Sequence, residues 1–121
     1  VAVAALTDDR HIGQLYELTG PRPLTFAQAV AEIAQASGRE ARYLPISLDE
    51  YTAEMARLGI PSEVIDLTAF LFDEVLDGRN SQPVDGVQRA LGRPARDFRD
   101  YARDAAAAGA WATAEAGEVA A

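Results

Sequence analysis

The chain has 121 residues, of which 49% are apolar and 25% charged, the size and make-up of one ordinary globular domain. Its formal net charge is −8, with 19 acidic residues against 11 arginines and no lysine. Such a field repels phosphate backbones and anionic lipid, so nucleic acid and membrane surfaces are excluded as expected partners. The absence of cysteine excludes disulfides, thiolate catalysis and Cys-ligated metal centres, and it fits a reducing, cytoplasmic setting.

The first residues, "VAVAAL", are helix-forming but have no Ser, Thr, Asp or Asn ahead of them to cap a helix start. They read as the last turns of a helix that begins upstream, so the chain is expected to be the C-terminal part of a longer protein. "TDDRHIG" is a polar turn ending at Gly13, and His11, the sole histidine, is expected to be a solvated member of it. Gln14–Thr19 alternates in character and predicts a short strand. "GPRP" ends that strand, because neither Pro21 nor Pro23 can donate to a ladder.

Thr25 and Gln28 then form a capping box, opening a helix that presents Phe26, Ala29, Val30, Ile33 and Ala36 on one face and stops at Gly38. "ARYLPIS" (41–47) predicts a second strand. Ser47 and Glu50 make a second capping box, and the helix they open closes at Gly59. A third helix runs from Pro61/Ser62 to about Leu76. "PVDGVQRALGRP" holds one short helix stopped by Gly92, and a last helix spans about Asp97–Ala108. Beyond Gly109, residues 109–121 are expected to form a frayed tail. No apolar run approaches the roughly 20 residues needed to cross a bilayer.

The first crossover, strand–helix–strand, is a βαβ unit whose two strands would lie parallel. Its turn, "TGPRPLT", offers one Gly and two Pro, not the Gly-rich loop that brings backbone N–H groups to a pyrophosphate. Thr25 already caps the helix end where a phosphate would sit. The turn therefore reads as a structural crossover without a cofactor site. The carboxylate pairs Asp49/Glu50 and Asp73/Glu74 point about 100° apart on their helices, which suits solvated faces better than paired acid–base chemistry. Arg96, Arg99 and Arg103 alternate with Asp97, Asp100 and Asp104, as in an exposed salt-bridged surface. Trp111 reads as an anchor for the tail.

The segment "SEVIDLTAFLFDEVLDG" (62–78) is apolar around most of its circumference, so a helix there must be buried on more than one side. Within the chain it would be a central core helix. Otherwise a missing domain, a second copy in a homodimer or an apolar small molecule covers it. Tyr51, Met55, Phe70 and Phe72 provide aromatic or adaptable surface suited to such a ligand, with plain core as the alternative role. No catalytic, metal-binding or cofactor-binding residue is identified.

Taken together, "VAVAAL", "GQLYELTGPRPLTFAQAV" (13–30), "SGREARYLPIS" (37–47), "SLDEY" (47–51) and "DGVQRALGRPARDFRDYA" (85–102) resemble, in order and spacing, the C-terminal region of NmrA-like proteins. These are atypical relatives of the short-chain dehydrogenases/reductases that bind NAD(P). The resemblance spans nearly the whole chain. It implies a mostly helical α/β fold: one βαβ unit plus a helical cap, the substrate-side part of a Rossmann-type protein.

Residues 1–121 would then form one substrate-binding region, with the N-terminal Rossmann cofactor domain absent. The implied parent is an NAD(P)H-dependent oxidoreductase of quinones, carbonyl compounds or other small molecules, and this chain alone would be inactive. NAD(P)H would bind the parent and not this chain. Two alternatives accompany that reading. One is a stand-alone small-ligand-binding or oligomerisation module, and the other is part of a non-catalytic NAD(P)-sensing regulator.

Overall fold

The computed structural model describes residues 1–112. Six α-helices follow in chain order: α1 (Ala2–Thr7), α2 (Phe26–Ser37), α3 (Leu48–Arg57), α4 (Ser62–Phe70), α5 (Gly86–Leu91) and α6 (Phe98–Ala107). A 3-10 turn occupies Asp9–His11, and a π-helical segment, Leu71–Val75, continues α4. The chain divides into two compact units. One comprises Val1–Tyr43 with the chain from Pro83 onward, and the other comprises Leu44–Gln82.

The helix ends follow local chemistry. At α2, the Gln28 N–H donates to Thr25 Oγ1 (3.2 Å) and the Thr25 N–H donates to Gln28 Oε1 (2.9 Å). At α3, the Glu50 N–H donates to Ser47 Oγ (3.1 Å) and the Ser47 N–H donates to Glu50 Oε2 (2.8 Å). Both capping boxes thus satisfy N–H groups that a helix start leaves exposed. The last turn of α3 is closed by Gly59, at φ +77°, where the N–H groups of Gly59 and Ile60 donate to Ala56 and Met55 carbonyls. That double bond pattern requires a left-handed residue, which glycine supplies without a Cβ penalty.

Neither expected strand forms: among the described residues there is no β-strand, and both 14–19 and 41–47 lack regular structure. This corrects the βαβ unit expected from the sequence. A strand exists only through ladder bonds to a neighbour, and these two segments do not pair with each other. The Gln14–Thr19 segment is fixed by other means. The Val84 N–H donates to Thr19 Oγ1 (2.9 Å), and the buried Gly86 lies directly against the Glu17 carbonyl. Leu15 is 81% exposed, with no sheet to cover it.

In the first unit, α2 packs on α6. Ala102 is fully buried on α6, while Ala29, Val30, Ile33 and Ala36 of α2 are half-buried. Phe26, expected on the same inner face, is exposed and stacks on Tyr43 with ring centroids 6.5 Å apart. Small side chains at the α2–α6 contact let the two backbones approach closely, at the cost of little buried apolar area. Trp111 is half-buried, and its carbonyl accepts a 2.7 Å bond from Arg39 Nη1, which ties the chain after α6 to the end of α2. The expected frayed tail falls mostly on residues 113–121, which lie outside the described residues.

In the second unit, α3 and α4 form a helical hairpin. Only Ile65 is buried among the described residues of this unit. The π segment is defined by the Leu76 N–H donating to the Leu71 carbonyl, five residues back, at 3.0 Å.

Candidate functional site: an aromatic face on the α3–α4 hairpin

The four residues singled out from the sequence all lie in the second unit. Tyr51 and Met55 are four residues apart on α3, hence on one helix face, and both are half-buried. Tyr51 meets Phe72 of the π segment edge to face, with centroids 5.3 Å apart. This geometry suits the negative faces and positive edges of aromatic rings. Phe70 ends α4 with its side chain exposed. The structure thus joins Tyr51 to Phe72 and sets Phe70 at the adjoining helix end.

The helix read as apolar on nearly all sides is not sealed within its own unit. Ile65 is 8% exposed, whereas Leu67 is 57% exposed, and Val64, Leu71 and Leu76 are also open to solvent. What the hairpin offers is an apolar, aromatic-bearing surface. Its polar groups serve structure: Thr68 Oγ1 donates to the Val64 carbonyl (2.8 Å), and Arg57 pairs with Glu54 on the outer face of α3. Ser47, through its backbone N–H and its hydroxyl, lowers the pKa of Glu50 and keeps it ionised as a cap. Arg79, through its guanidinium and then its backbone N–H, likewise lowers the pKa of Asp77. Such an array can bind and orient an apolar group. Among the described residues, no group of three or more His, Asp or Glu side chains is placed to hold a metal ion.

A second feature, in the first unit, was not legible in the sequence. Arg22, from "GPRP", grips Asp97 through Nε–Oδ2 (2.7 Å) and Nη2–Oδ1 (2.8 Å) and reaches Glu32 Oε1 at 2.6 Å. Asp97 also caps α6, accepting from the Arg99 N–H at 2.9 Å. Hydrogen bonding to Arg22, and then to that N–H, lowers the Asp97 pKa to about 2. The same partners raise Arg22 further above its ordinary range, Asp97 contributing more than Glu32. Glu32 is only 10% exposed on its side chain, and its Oε2 has no hydrogen-bond partner. This network fixes the 20–23 turn to the start of α6. Beside it, Gly20, Leu24, Phe98 and Tyr101 line an open hollow of about 410 Å³.

The remaining charges of α6 follow the expected exposed pattern. Arg96 pairs with Asp104, and Arg103 pairs with Asp100 at 3.1 Å. His11, however, is not a solvated turn residue: it is 6% exposed and bonded to Tyr16. Its ring is bonded to Arg10 and Tyr16, and Arg10 in turn reaches the Ala90 carbonyl of α5, contacts that turn composition does not report. No described helix is long and apolar enough to cross a membrane.

Comparison with known proteins places these features. The chain matches no protein-family profile. It is 36% identical over 108 residues to the NAD(P)H azoreductase of Xenophilus azovorans, covering 89% of this chain and 38% of that protein. It is 35% identical over 109 residues to the (4-alkanoyl-5-oxo-2,5-dihydrofuran-3-yl)methyl phosphate reductase of Streptomyces griseus, with the same coverage of each. Among solved structures it superposes on the Citrobacter sp. triphenylmethane reductase complexed with NADP(H). The TM-score is 0.67 at 25% identity, over 86% of this chain and 36% of that one. The chain spans little more than a third of the length of these relatives. These matches agree with the resemblance read from the sequence: the chain is similar to the C-terminal region of NmrA-like proteins, atypical relatives of the short-chain dehydrogenases/reductases.

Proposed function

We propose that the chain is the substrate-side part of an NAD(P)H-dependent oxidoreductase acting on a small, largely apolar organic substrate such as a quinone or carbonyl compound. The observation that carries this reading is the exposed aromatic face of the α3–α4 hairpin, in a chain that aligns over 89% of its length with a reductase two to three times as long. Tyr51, Met55, Phe70 and Phe72 would wall the substrate, while hydride chemistry belongs to NAD(P)H held by a Rossmann domain. That domain would also supply the strand neighbours that Gln14–Thr19 lacks. The chain by itself supplies orientation and exclusion of water, and no turnover.

The test is an NAD(P)H-oxidation assay on the full-length parent with quinones, carbonyl compounds and azo dyes, repeated with Tyr51→Ala and Phe72→Ala. Both substitutions should raise KM for the organic substrate while leaving NAD(P)H affinity unchanged. Turnover by the 121-residue chain alone, or a KM indifferent to both substitutions, refutes the reading. The open apolar surface of α4 favours a second reading, a module that dimerises or takes up an apolar ligand on its own. Sedimentation of the chain at micromolar concentration tests the dimerising form of this reading, which requires a dimer there, and titration of an apolar fluorophore into the same chain tests the ligand-binding form.

A further inference from the structure

His11 is the buried titratable group that the proposed function leaves without a role. Arg10 Nε donates to His11 Nε2 at 3.2 Å, and His11 Nδ1 lies 2.9 Å from Tyr16 Oη. A guanidinium has no acceptor and stays protonated, so Nε2 must offer its lone pair and the ring proton must sit on Nδ1. The imidazole is then neutral, accepting on one side and donating to Tyr16 on the other. Arg10 extends the chain of contacts: its Nη2 reaches the Ala90 carbonyl, near the end of α5, at 3.4 Å. Tyr16 is flanked by the Arg89 guanidinium, 5.5 Å from its ring centroid.

We propose that His11 is a protonation-sensitive latch that holds the Gln14–Thr19 segment and the 3-10 turn against α5 only while its imidazole is neutral. Protonation puts a hydrogen on Nε2, which then faces the Arg10 Nε–H donor to donor and cation to cation. Arg10 must swing away, giving up its reach to the Ala90 carbonyl. The charged groups around the ring decide whether this clash is relieved in place. From its own turn come Asp8, Asp9 and Arg10, and from α5 comes Arg89. Asp8 is already committed, since Oδ1 accepts from the Arg10 N–H (3.0 Å) and Oδ2 faces Arg10 Nε (3.1 Å). Its release from Arg10 is thus part of the same rearrangement. Arg89 adds a second positive charge on the Tyr16 side. The segment that loosens includes Glu17, whose carbonyl packs on Gly86, so the seat of α5 loosens with it.

The chain contains one histidine, so imidazole signals in nuclear magnetic resonance report His11 alone. On the 121-residue chain, long-range ¹H–¹⁵N correlations near neutral pH should show the Nδ1–H tautomer. On acidification, the imidazole titration should coincide with shifts and faster hydrogen exchange at Tyr16, Glu17 and the α5 amides. In Arg10→Gln, a substitution at an exposed side chain, the ring still titrates, but the accompanying response of Tyr16 and α5 should fall to less than half. In His11→Asn the response should vanish. Should that variant fail to fold, Arg10→Gln alone decides. An Nε2–H tautomer in the wild type, an imidazole titration that leaves Tyr16 and α5 unmoved, or an undiminished response in Arg10→Gln overturns the proposal.

Discussion

Replacing Gly86 with alanine tests the packing of the first unit at its tightest point. A Cβ built there lies 1.9 Å from the Glu17 carbonyl oxygen, 2.8 Å from its carbon and 3.2 Å from Leu18 Cδ2. An ordinary carbon–oxygen contact is about 3.3 Å, so the two backbones must part by about 1.4 Å. No flexible side chain can absorb that shift, because the obstructing atoms are main chain. Overpacking of this kind costs about 1–3 kcal/mol. The displaced Glu17 also strains the neighbouring Thr19–Val84 hydrogen bond, worth about 1 kcal/mol. Better helix propensity returns less than about 1 kcal/mol at this first helical position.

The net loss is therefore about 2–3 kcal/mol, which lowers Tm by on the order of 10 °C in a domain of this size. Thermal unfolding followed by far-ultraviolet circular dichroism measures it. The internal control is Gly92→Ala, where φ is +67° and nothing lies within 4 Å. Its cost is backbone strain alone, about 1 kcal/mol. If Gly86→Ala is no more destabilising than Gly92→Ala, the close approach of the 14–19 segment to α5 is wrong.

Three further outcomes are expected. Thr25→Ala and Ser47→Ala should each lower stability by about 1 kcal/mol in denaturant titrations, because each removes half of a formed capping box. Ile65→Ala should cost at least about 2 kcal/mol, whereas Leu67→Ala, at an exposed site on the same helix, should stay within about 0.5 kcal/mol. Arg22→Gln should lower Tm at neutral pH and change its acid dependence. Asp97 has a folded-state pKa of about 2 against an ordinary 3.8, so its contribution is present above that ordinary value and lost as pH falls through about 2. The Tm gap between wild type and variant should therefore narrow over that window, and a gap independent of pH there would show that Arg22 does not hold Asp97.

The helices were legible because their boundaries are written locally. Thr25 with Gln28, Ser47 with Glu50, and the glycines after α2, α3, α5 and α6 each act within a few residues of themselves. The strands were not legible in the same way. Alternation in "QLYELT" reports a segment suited to a sheet, but ladder bonds come from a neighbour, and the described residues provide none. The Arg22–Asp97 pair joins residues 75 apart in sequence, and the balanced charges of α6 gave no sign that Asp97 would turn to a distant arginine. His11 failed for a related reason: its polar neighbours in sequence suggest water, while its ring is buried and bonded to Tyr16. At the candidate site, residue type singled out Tyr51 and Phe72, but not the edge-to-face contact that the hairpin makes between them. The apolar circumference of α4 called for burial on more than one side, but it did not tell a helix covered within the chain from one left open, as α4 is among the described residues.

The widened turn at Leu71–Val75 bears on how this region tolerates changes in length. A π turn accommodates one residue more than the α-helical ladder would, and such turns recur at functional positions. Losing a single residue between Leu71 and Val75 would let the ladder close in α-helical register, whereas the same loss inside α3 would rotate every later side chain by about 100°. Insertions and deletions that survive in this hairpin should therefore gather at that turn, re-aiming the ring of Phe72 while leaving the scaffold beneath it in place.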